Sequence, residues 1–325
     1  MELKFNNRET KVQQLTDYIE AAISCQSLKI GDKLPSINAL STTHKVSRDT
    51  VFKALYKLKE KGLIDSIHGK NYFVANQSSD ILLLLDRYSP FKEALYNSLI
   101  NKLGDNYKTD LWFHQYNKKL FDTIIEESNG KYNKYIIMNY DNEVLSDKVY
   151  TLPKDSVMLI DFGKFDKNGY SYACQDFDEF FYDALLSIKE DLGKYKKLVY
   201  ILNKKHPHPQ SSRDYFVKFC LDHGIEYELT DDASVNIIND YLYIVVKQSD
   251  VVSLIKQSNS INMEMGKDFG LIAYNENPFY EIIGSGVSSI GVDWKEMGEK
   301  AADFILIGDK IQVYLNTKIN KRESF

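Results

Sequence analysis

The chain has 325 residues, a formal net charge of -5 and a hydrophobic fraction of 43%, a composition that builds packed cores and excludes a wholly disordered chain. No apolar run approaches the roughly 18 residues of a membrane span, and the opening MELKFNNRETKVQQL lacks the apolar segment of a signal peptide. Cys25, Cys174 and Cys220 stand far apart without CxxC spacing, which argues against a disulfide framework or a cysteine zinc site and leads us to expect a cytoplasmic protein.

Charge divides the chain. Residues 1–76 hold 12 Lys/Arg and 8 Asp/Glu, whereas the remainder holds 29 and 38; the basic part is the one suited to a polyanion. Within it, Val12, Leu15, Ile19, Ala22 and Ile23 recur at helical spacing and predict a helix over about residues 10–27. Gly31 and Pro35 break the chain, and Ser36 can cap a second helix reaching about His44. Ser47 can cap a third, with Val51, Ala54, Leu55 and Leu58 as its buried stripe and Gly62 at its end. Arg48, Thr50 and Lys53 fall off that stripe near its N-terminus. LIDSI and YFVA then flank the turn HGKN and predict a two-stranded wing.

LPS at 34–36, VSRDTV at 46–51, KAL at 53–55 with GLI at 62–64, and HGK at 68–70 together resemble the winged helix-turn-helix of the GntR family of bacterial transcription regulators. The resemblance implies contacts to double-stranded operator DNA by Ser36, Arg48, Thr50, Lys53, His68 and Lys70. The cationic residues would mainly neutralise phosphates, and Arg48 can also read guanine. Asn38 stands where the family usually has Arg, and Asn71 replaces a second wing glycine, a position that Asn tolerates at positive φ.

The polar stretch 77–80 is expected as a linker between a first domain, 1–76, and a second, 81–325. Beyond it, ILLLL at 81–85, DLWFHQY at 110–116, YIIMNY at 135–140, VMLID at 157–161, and later KLVYILN, YLYIVV and FGLIAY alternate with helical stretches. Continuous apolar runs separated by helices predict parallel strands covered on both faces, a doubly wound α/β architecture that binds ligands at the carboxyl ends of its strands. A glycine-rich phosphate loop, a G-x-S-x-G elbow and an HExxH motif are all missing from the sequence, so no enzyme, cofactor or metal is expected. His206 and His208 in KKHPHPQ have ligand-like spacing, but alternation with prolines reads as an extended surface turn.

The segment DFGLIAYNENPFYEIIGSGVSSIGVDWKEMGEKAADFIL resembles the effector-binding domain of the LacI family, itself similar to periplasmic sugar-binding proteins: two α/β lobes with a cleft between them. That resemblance implies Asn275 as a sugar-hydroxyl ligand, Trp294 as a ring-packing residue, Arg213 as a hydroxyl-gripping arginine, Asp176 and Asp250 as strand-end acids, and Asn139 and Phe91 as residues of the other lobe. Carboxylates, Asn, Arg and an aromatic face suit vicinal hydroxyls and the C–H side of a pyranose. Taken singly, Asp176 also reads as a helix cap, Trp294 as core packing and Arg213 as a surface ion pair.

The expected fold is therefore α/β, an N-terminal winged helix-turn-helix followed by a two-lobed, doubly wound parallel-sheet effector domain of periplasmic-binding-protein type. The resemblances imply a homodimer on a palindromic operator, a repressor released by a monosaccharide. An activator, a sensor of a non-sugar ligand such as a nucleoside, and an enzyme with a DNA-binding regulatory arm remain as alternatives.

Overall fold

The computed structural model describes residues 3, 5, 6, 9–24, 27–29, 31–67, 71–75, 79–105 and 107–325. Two compact units emerge, one of residues 1–80 with 105–108 and one of residues 81–104 with 109–325.

The first unit contains helices α1 (Lys11–Ser24), α2 (Ile37–His44) and α3 (Arg48–Glu60) and the hairpin of β1 (Ile64–Ile67) with β2 (Asn71–Val74). The caps act as the sequence suggests. Ser36 Oγ accepts from Ala39 N at 3.2 Å and Ser47 Oγ from Thr50 N at 3.0 Å, each satisfying an amide that the first helical turn leaves without a partner. Lys45 closes α2 in the left-handed region, and Gly62, at φ 68°, turns the chain from α3 into the wing. Leu15, Ile19, Leu40, Val51, Ala54, Leu55, Leu58, Ile64, Tyr72 and Val74 form the core; burying a leucine there stabilises the unit by about 1.5–3 kcal/mol. The antiparallel register runs from Ile64 opposite Val74 to Ile67 opposite Asn71.

The second unit has two lobes, each built on a six-stranded sheet. Its strands in chain order are β3 (Ser79–Leu85), β4 (Tyr107–Phe113), β5 (Lys134–Ile137), β6 (Val157–Ile160), β7 (Ser171–Gln175), β8 (Lys197–Ile201), β9 (Tyr227–Thr230), β10 (Tyr241–Val245), β11 (Gly270–Tyr274), β12 (Ser288–Gly291), β13 (Gln312–Leu315) and β14 (Lys318–Asn320). The first sheet has the order β13-β7-β6-β5-β3-β4 and the second β14-β12-β11-β10-β8-β9. The pairs β3–β5, β5–β6, β6–β7 and β7–β13 are parallel, as are β9–β8, β8–β10, β10–β11 and β11–β12; β14 is antiparallel to β12. Strands β6 and β11 are buried at every residue, which is why they read as unbroken apolar runs rather than as alternation.

Helices α4 (Pro90–Leu103), α5 (Lys118–Ser128), α6 (Glu179–Leu186), α7 (Lys189–Leu192), α8 (Ser211–His223), α9 (Gln248–Ser260) and α10 (Trp294–Ile307) complete the unit. The chain crosses between the lobes three times: from β7 to α6, whose Phe181 and Leu185 join the core of the second sheet; from β12 to α10, which packs on α4 and the first sheet; and from β13 to β14.

Some expected boundaries shift. Strand β3 begins at Ser79, inside the stretch read as a linker, and α1 holds the whole apolar stripe but spans Lys11–Ser24 rather than about 10–27. The strand expected at 110–116 ends at Phe113, because Gln115 and Tyr116 turn with φ of 53° and 57°. That expected at 135–140 ends at Ile137, and the residues after it bend toward the cleft.

The α4–α10 crossing is close. A Cβ on Gly298 would lie 2.1 Å from Ser98 Oγ and 2.3 Å from the Leu95 carbonyl oxygen, while Ser98 Oγ donates to Lys295 O at 2.9 Å. We expect Gly298→Ala to destabilise the second unit by about 1–3 kcal/mol, the usual cost of overpacking, seen as a lower urea midpoint. An unchanged midpoint would contradict the close packing.

Candidate functional site

Between the two lobes lies a cleft of about 360 Å3. Its walls come from the chain just beyond the strand ends: Asp86 and Arg87 after β3, Tyr116 after β4, Met138 and Asn139 after β5, Asp161 after β6, Gln175 at the end of β7, Val246 and Lys247 after β10, and Tyr274 and Asn275 at β11. The N-terminal residues of α4 (Pro90, Phe91) and of α9 (Gln248, Ser249) close the ends.

The floor holds a buried ion pair. Lys92 Nζ bonds Asp86 Oδ1, Tyr116 OH donates to Asp86 Oδ2, and Arg87 N donates to Asp86 Oδ1 at 2.5 Å. Burial by itself would raise the Asp86 pKa, but the Lys92 charge and these hydrogen bonds outweigh it and hold the carboxyl below its usual range. His114 Nδ1 accepts from Tyr116 N at 3.2 Å, so Nε2 carries the proton toward Met138 O at 3.1 Å. Desolvation lowers His114 to about 4.

Asp161, at φ 48°, accepts from Gln175 Nε2 at 2.5 Å. Desolvation, opposed by Lys92 and reinforced by Asp86, raises its pKa to about 6. On the opposite wall His208 N donates to His206 Nδ1 at 3.1 Å. Burial with the nearby charges of Arg87 and Lys247 lowers His206 to about 4, and burial beside His206 lowers His208 to about 3.

Five of the residues lining this cleft carry a buried polar atom without a hydrogen-bond partner: Ser89 Oγ, Gln175 Oε1, His208 Nε2, Gln248 Nε2 and Tyr274 OH. Buried polar groups are normally paired, and these five all belong to residues around one cavity. Phe91, Tyr88 and Phe177 add ring surface to the same walls.

The residues implied by the sequence are distributed unequally. Phe91 and Asn275 line the cleft. Asn275 sits at φ 65°, and its Oδ1 accepts from Trp294 Nε1 at 3.2 Å, which leaves the amide Nδ2 as the donor offered to a ligand. Trp294 is itself buried, with its ring 4.7 Å from that of Phe91; it holds Asn275 and Phe91 from behind rather than covering a ligand. Asn139 also lines the cleft, but its Nδ2 donates to Asp141 O and Val144 O at 2.7 and 2.8 Å and its Oδ1 accepts from Ser146 N at 3.2 Å. Its polar atoms are committed to its own loop.

Three implied residues lie elsewhere. Arg213 donates to Leu202 O at 2.8 Å and to Asp231 at 3.0 Å and borders a separate shallow depression with Lys204 and Gln210. Asp176 accepts from Asp178 N at 2.9 Å and lies 3.4 Å from Lys164, behind the wall that Gln175 forms. Asp250 lines a neighbouring hollow that shares His206, Val246 and Lys247 with the cleft. The histidines read as a surface turn instead point inward, because the His208 ring packs 4.9 Å from Phe177 and 4.5 Å from Tyr274.

Asp86, Asp161, Gln175, Gln248 and Tyr274 were not singled out from the sequence. A usable signal was present: Asp86, Asp161 and Gln248 sit at or just after the last residue of an apolar run, in ILLLLD, VMLID and YIVVKQ.

On the first unit Arg48 is exposed at the start of α3, without an ion-pair or hydrogen-bond partner among the described residues. Thr50 Oγ1 lies 2.8 Å from Ser47 Oγ, and Lys53 pairs with Asp49 at 2.7 Å. Ser36 serves as a cap. His68 and Lys70 lie outside the described residues.

Residues 11–74 match the family model of bacterial regulatory proteins, gntR family. An uncharacterized HTH-type transcriptional regulator of Bacillus subtilis (strain 168), YcxD, is 31% identical over 114 residues, which is 32% of this chain and 26% of that protein. The mannosyl-D-glycerate transport/metabolism system repressor MngR of Escherichia coli (strain K12) is 40% identical over 65 residues, 20% of this chain and 27% of the relative. The chain thus spans about a quarter of the length of these two curated relatives. Among solved structures, the trehalose repressor of Escherichia coli superposes with a TM-score of 0.63 at 9% identity, covering 75% of this chain and 100% of that one. The LacI family transcriptional regulator of Lactobacillus casei with bound glucose gives 0.60 at 16% identity, covering 76% and 99%. At such identities the likeness is one of fold, and the fold is that of the two-lobed LacI regulators.

The three depressed histidines predict acid sensitivity. Each stays neutral in the folded chain and takes up a proton on unfolding once the pH falls below about 6.5, so the stability they contribute is whole above that pH and is lost as pH falls toward 4. Asp161, raised to about 6, acts in the opposite sense over nearly the same window. The melting temperature should therefore fall between pH 7 and pH 4.5, and more steeply in Asp161→Asn; a flat profile would contradict the buried neutral histidines.

Proposed function

We propose that the chain is a cytoplasmic DNA-binding transcription regulator in which the first unit grips a palindromic operator and the second binds a monosaccharide that releases it. The observation that carries the ligand half is the set of five unpartnered polar atoms on residues that line the cleft. Gln175 Oε1 needs a donor, Gln248 Nε2 needs an acceptor, and the Ser89 and Tyr274 hydroxyls take either role. A compound with several hydroxyls supplies both, since each hydroxyl donates and accepts. Asn275 Nδ2 and the Phe91 ring add a further donor and an apolar face. The match of residues 11–74 to the gntR model and the position of Arg48 support the DNA half.

A palindromic site asks for two reading heads. Val252, Ile261, Phe279 and Ile282 are exposed on the second lobe, and the end of α9 borders the same hollow as Ile283, Gly284 and Ser285. An apolar patch of this kind can pair with its own copy about a two-fold axis, which supports a homodimer.

Arg48→Ala should weaken binding to the selected operator by about 1–3 kcal/mol, the worth of a bidentate base contact, without changing the melting temperature; equal affinity at matched salt would remove α3 from the reading role. A thermal-shift screen of monosaccharides should find one that stabilises the chain, and Gln175→Leu should cut its affinity about tenfold or more while leaving operator binding unchanged. A nucleoside that stabilises the chain where no sugar does would replace the sugar reading. Ile282→Asp should convert a dimer to a monomer in sedimentation; a wild-type chain that is already monomeric would end the dimer reading.

A further inference from the structure

Among the described residues of the first unit, the large hydrophobic side chains that stand in solvent are Phe52 and Tyr56, 49% and 53% exposed. They lie one turn apart on α3 with ring centroids 6.3 Å apart. Positions 48, 52 and 56 follow the i, i+4 spacing that places side chains on one helix face, so the two rings continue the line begun by Arg48. The core has no use for them: Val51, Ala54, Leu55 and Leu58 already fill the buried stripe. Their exposed neighbours are charged or polar, with Lys53 paired to Asp49 and Lys57 Nζ donating to Gln13 Oε1 at 3.1 Å.

An exposed ring on a cationic helix face that meets DNA needs an apolar feature there. In the major groove the apolar group that distinguishes a base is the thymine C5-methyl. Resting on the reading that α3 enters that groove, we infer that Phe52 is a specificity-determining residue that packs its ring on a thymine methyl, with Tyr56 bracing the ring from the next turn. The helix rises about 1.5 Å per residue, which sets Phe52 about 6 Å along the axis from Arg48. Base pairs repeat about every 3.4 Å. The thymine therefore lies within about two base pairs of the base that Arg48 faces.

The test begins with a selection of duplexes from a randomised pool by the full chain. A pool that yields no enriched sequence defeats the DNA reading itself, independently of Phe52. With an enriched duplex in hand, each thymine is replaced in turn by deoxyuridine, which lacks only the methyl, and affinity is measured by fluorescence anisotropy at fixed salt. One position per half-site should lose about fourfold in wild type, the worth of one buried methyl group. Phe52→Ala should still bind with the same salt dependence and melting temperature yet be insensitive to that replacement, and Phe52→Leu should keep part of the sensitivity. Uracil effects that are identical in wild type and Phe52→Ala would overturn the inference. So would a change from dimer to monomer in Phe52→Ala, which would assign the rings to a contact between copies of the chain.

Discussion

The floor of the second unit is organised by one buried ion pair. The side chains of Lys92 and Asp86 are each only 5% exposed, and a charge at that depth persists only with a partner and with its remaining hydrogen-bonding capacity filled. Tyr116 reaches the pair because Gln115 and Tyr116 turn sharply after β4, and Gln115 N caps that turn on the Asp86 carbonyl. His114 is fixed by the same turn. The Lys92 charge also tempers Asp161 at the end of β6, so a carboxyl that desolvation and Asp86 together push up is held near pH 6. One lysine at the start of α4 therefore fixes the geometry of two strand ends and tempers the charge of a third.

This arrangement leaves the cleft with few exposed formal charges in its depth and many neutral donors and acceptors. Asp86 is spent on Lys92, and the histidines are kept neutral by burial. Beside the charges of Arg87, Lys247 and Asp161 the walls offer amide, hydroxyl and imidazole, groups that discriminate by direction rather than by charge. Trp294 shows the same economy, since its indole N–H orients Asn275 and its ring supports Phe91.

The strands and helices were legible because their physics is local. Fully buried parallel strands appear as unbroken apolar runs, and Ser36 and Ser47 cap helices through bonds that span three residues. The site was legible only in part, because its geometry is not local. Asn275 was found by resemblance to a turn of known shape, and Phe91 by the resemblance of the other lobe. Arg213, however, is not among the residues of the cleft, and the Leu202 carbonyl and Asp231 capture its guanidinium. Nothing in SSRDYF announces a competitor eighteen residues away. His206 and His208 misled for the opposite reason: prolines mark an irregular turn but do not say which way it faces, and for His208 the rings of Phe177 and Tyr274 decide that.

The three crossings between the lobes bear on how the molecule is made. Neither lobe is a contiguous stretch of chain. The first lobe needs α10 and β13, from the last thirty or so residues, to cover α4 and complete its sheet edge beside β7, and the second needs β14. As the chain leaves the ribosome from its N-terminus, the face of α4 that receives Gly298 stays uncovered until α10, about two hundred residues further on, has been synthesised. A fragment cut anywhere between the two sheets would leave both lobes incomplete, so the cleft comes into being only once α10, β13 and β14 have joined their lobes.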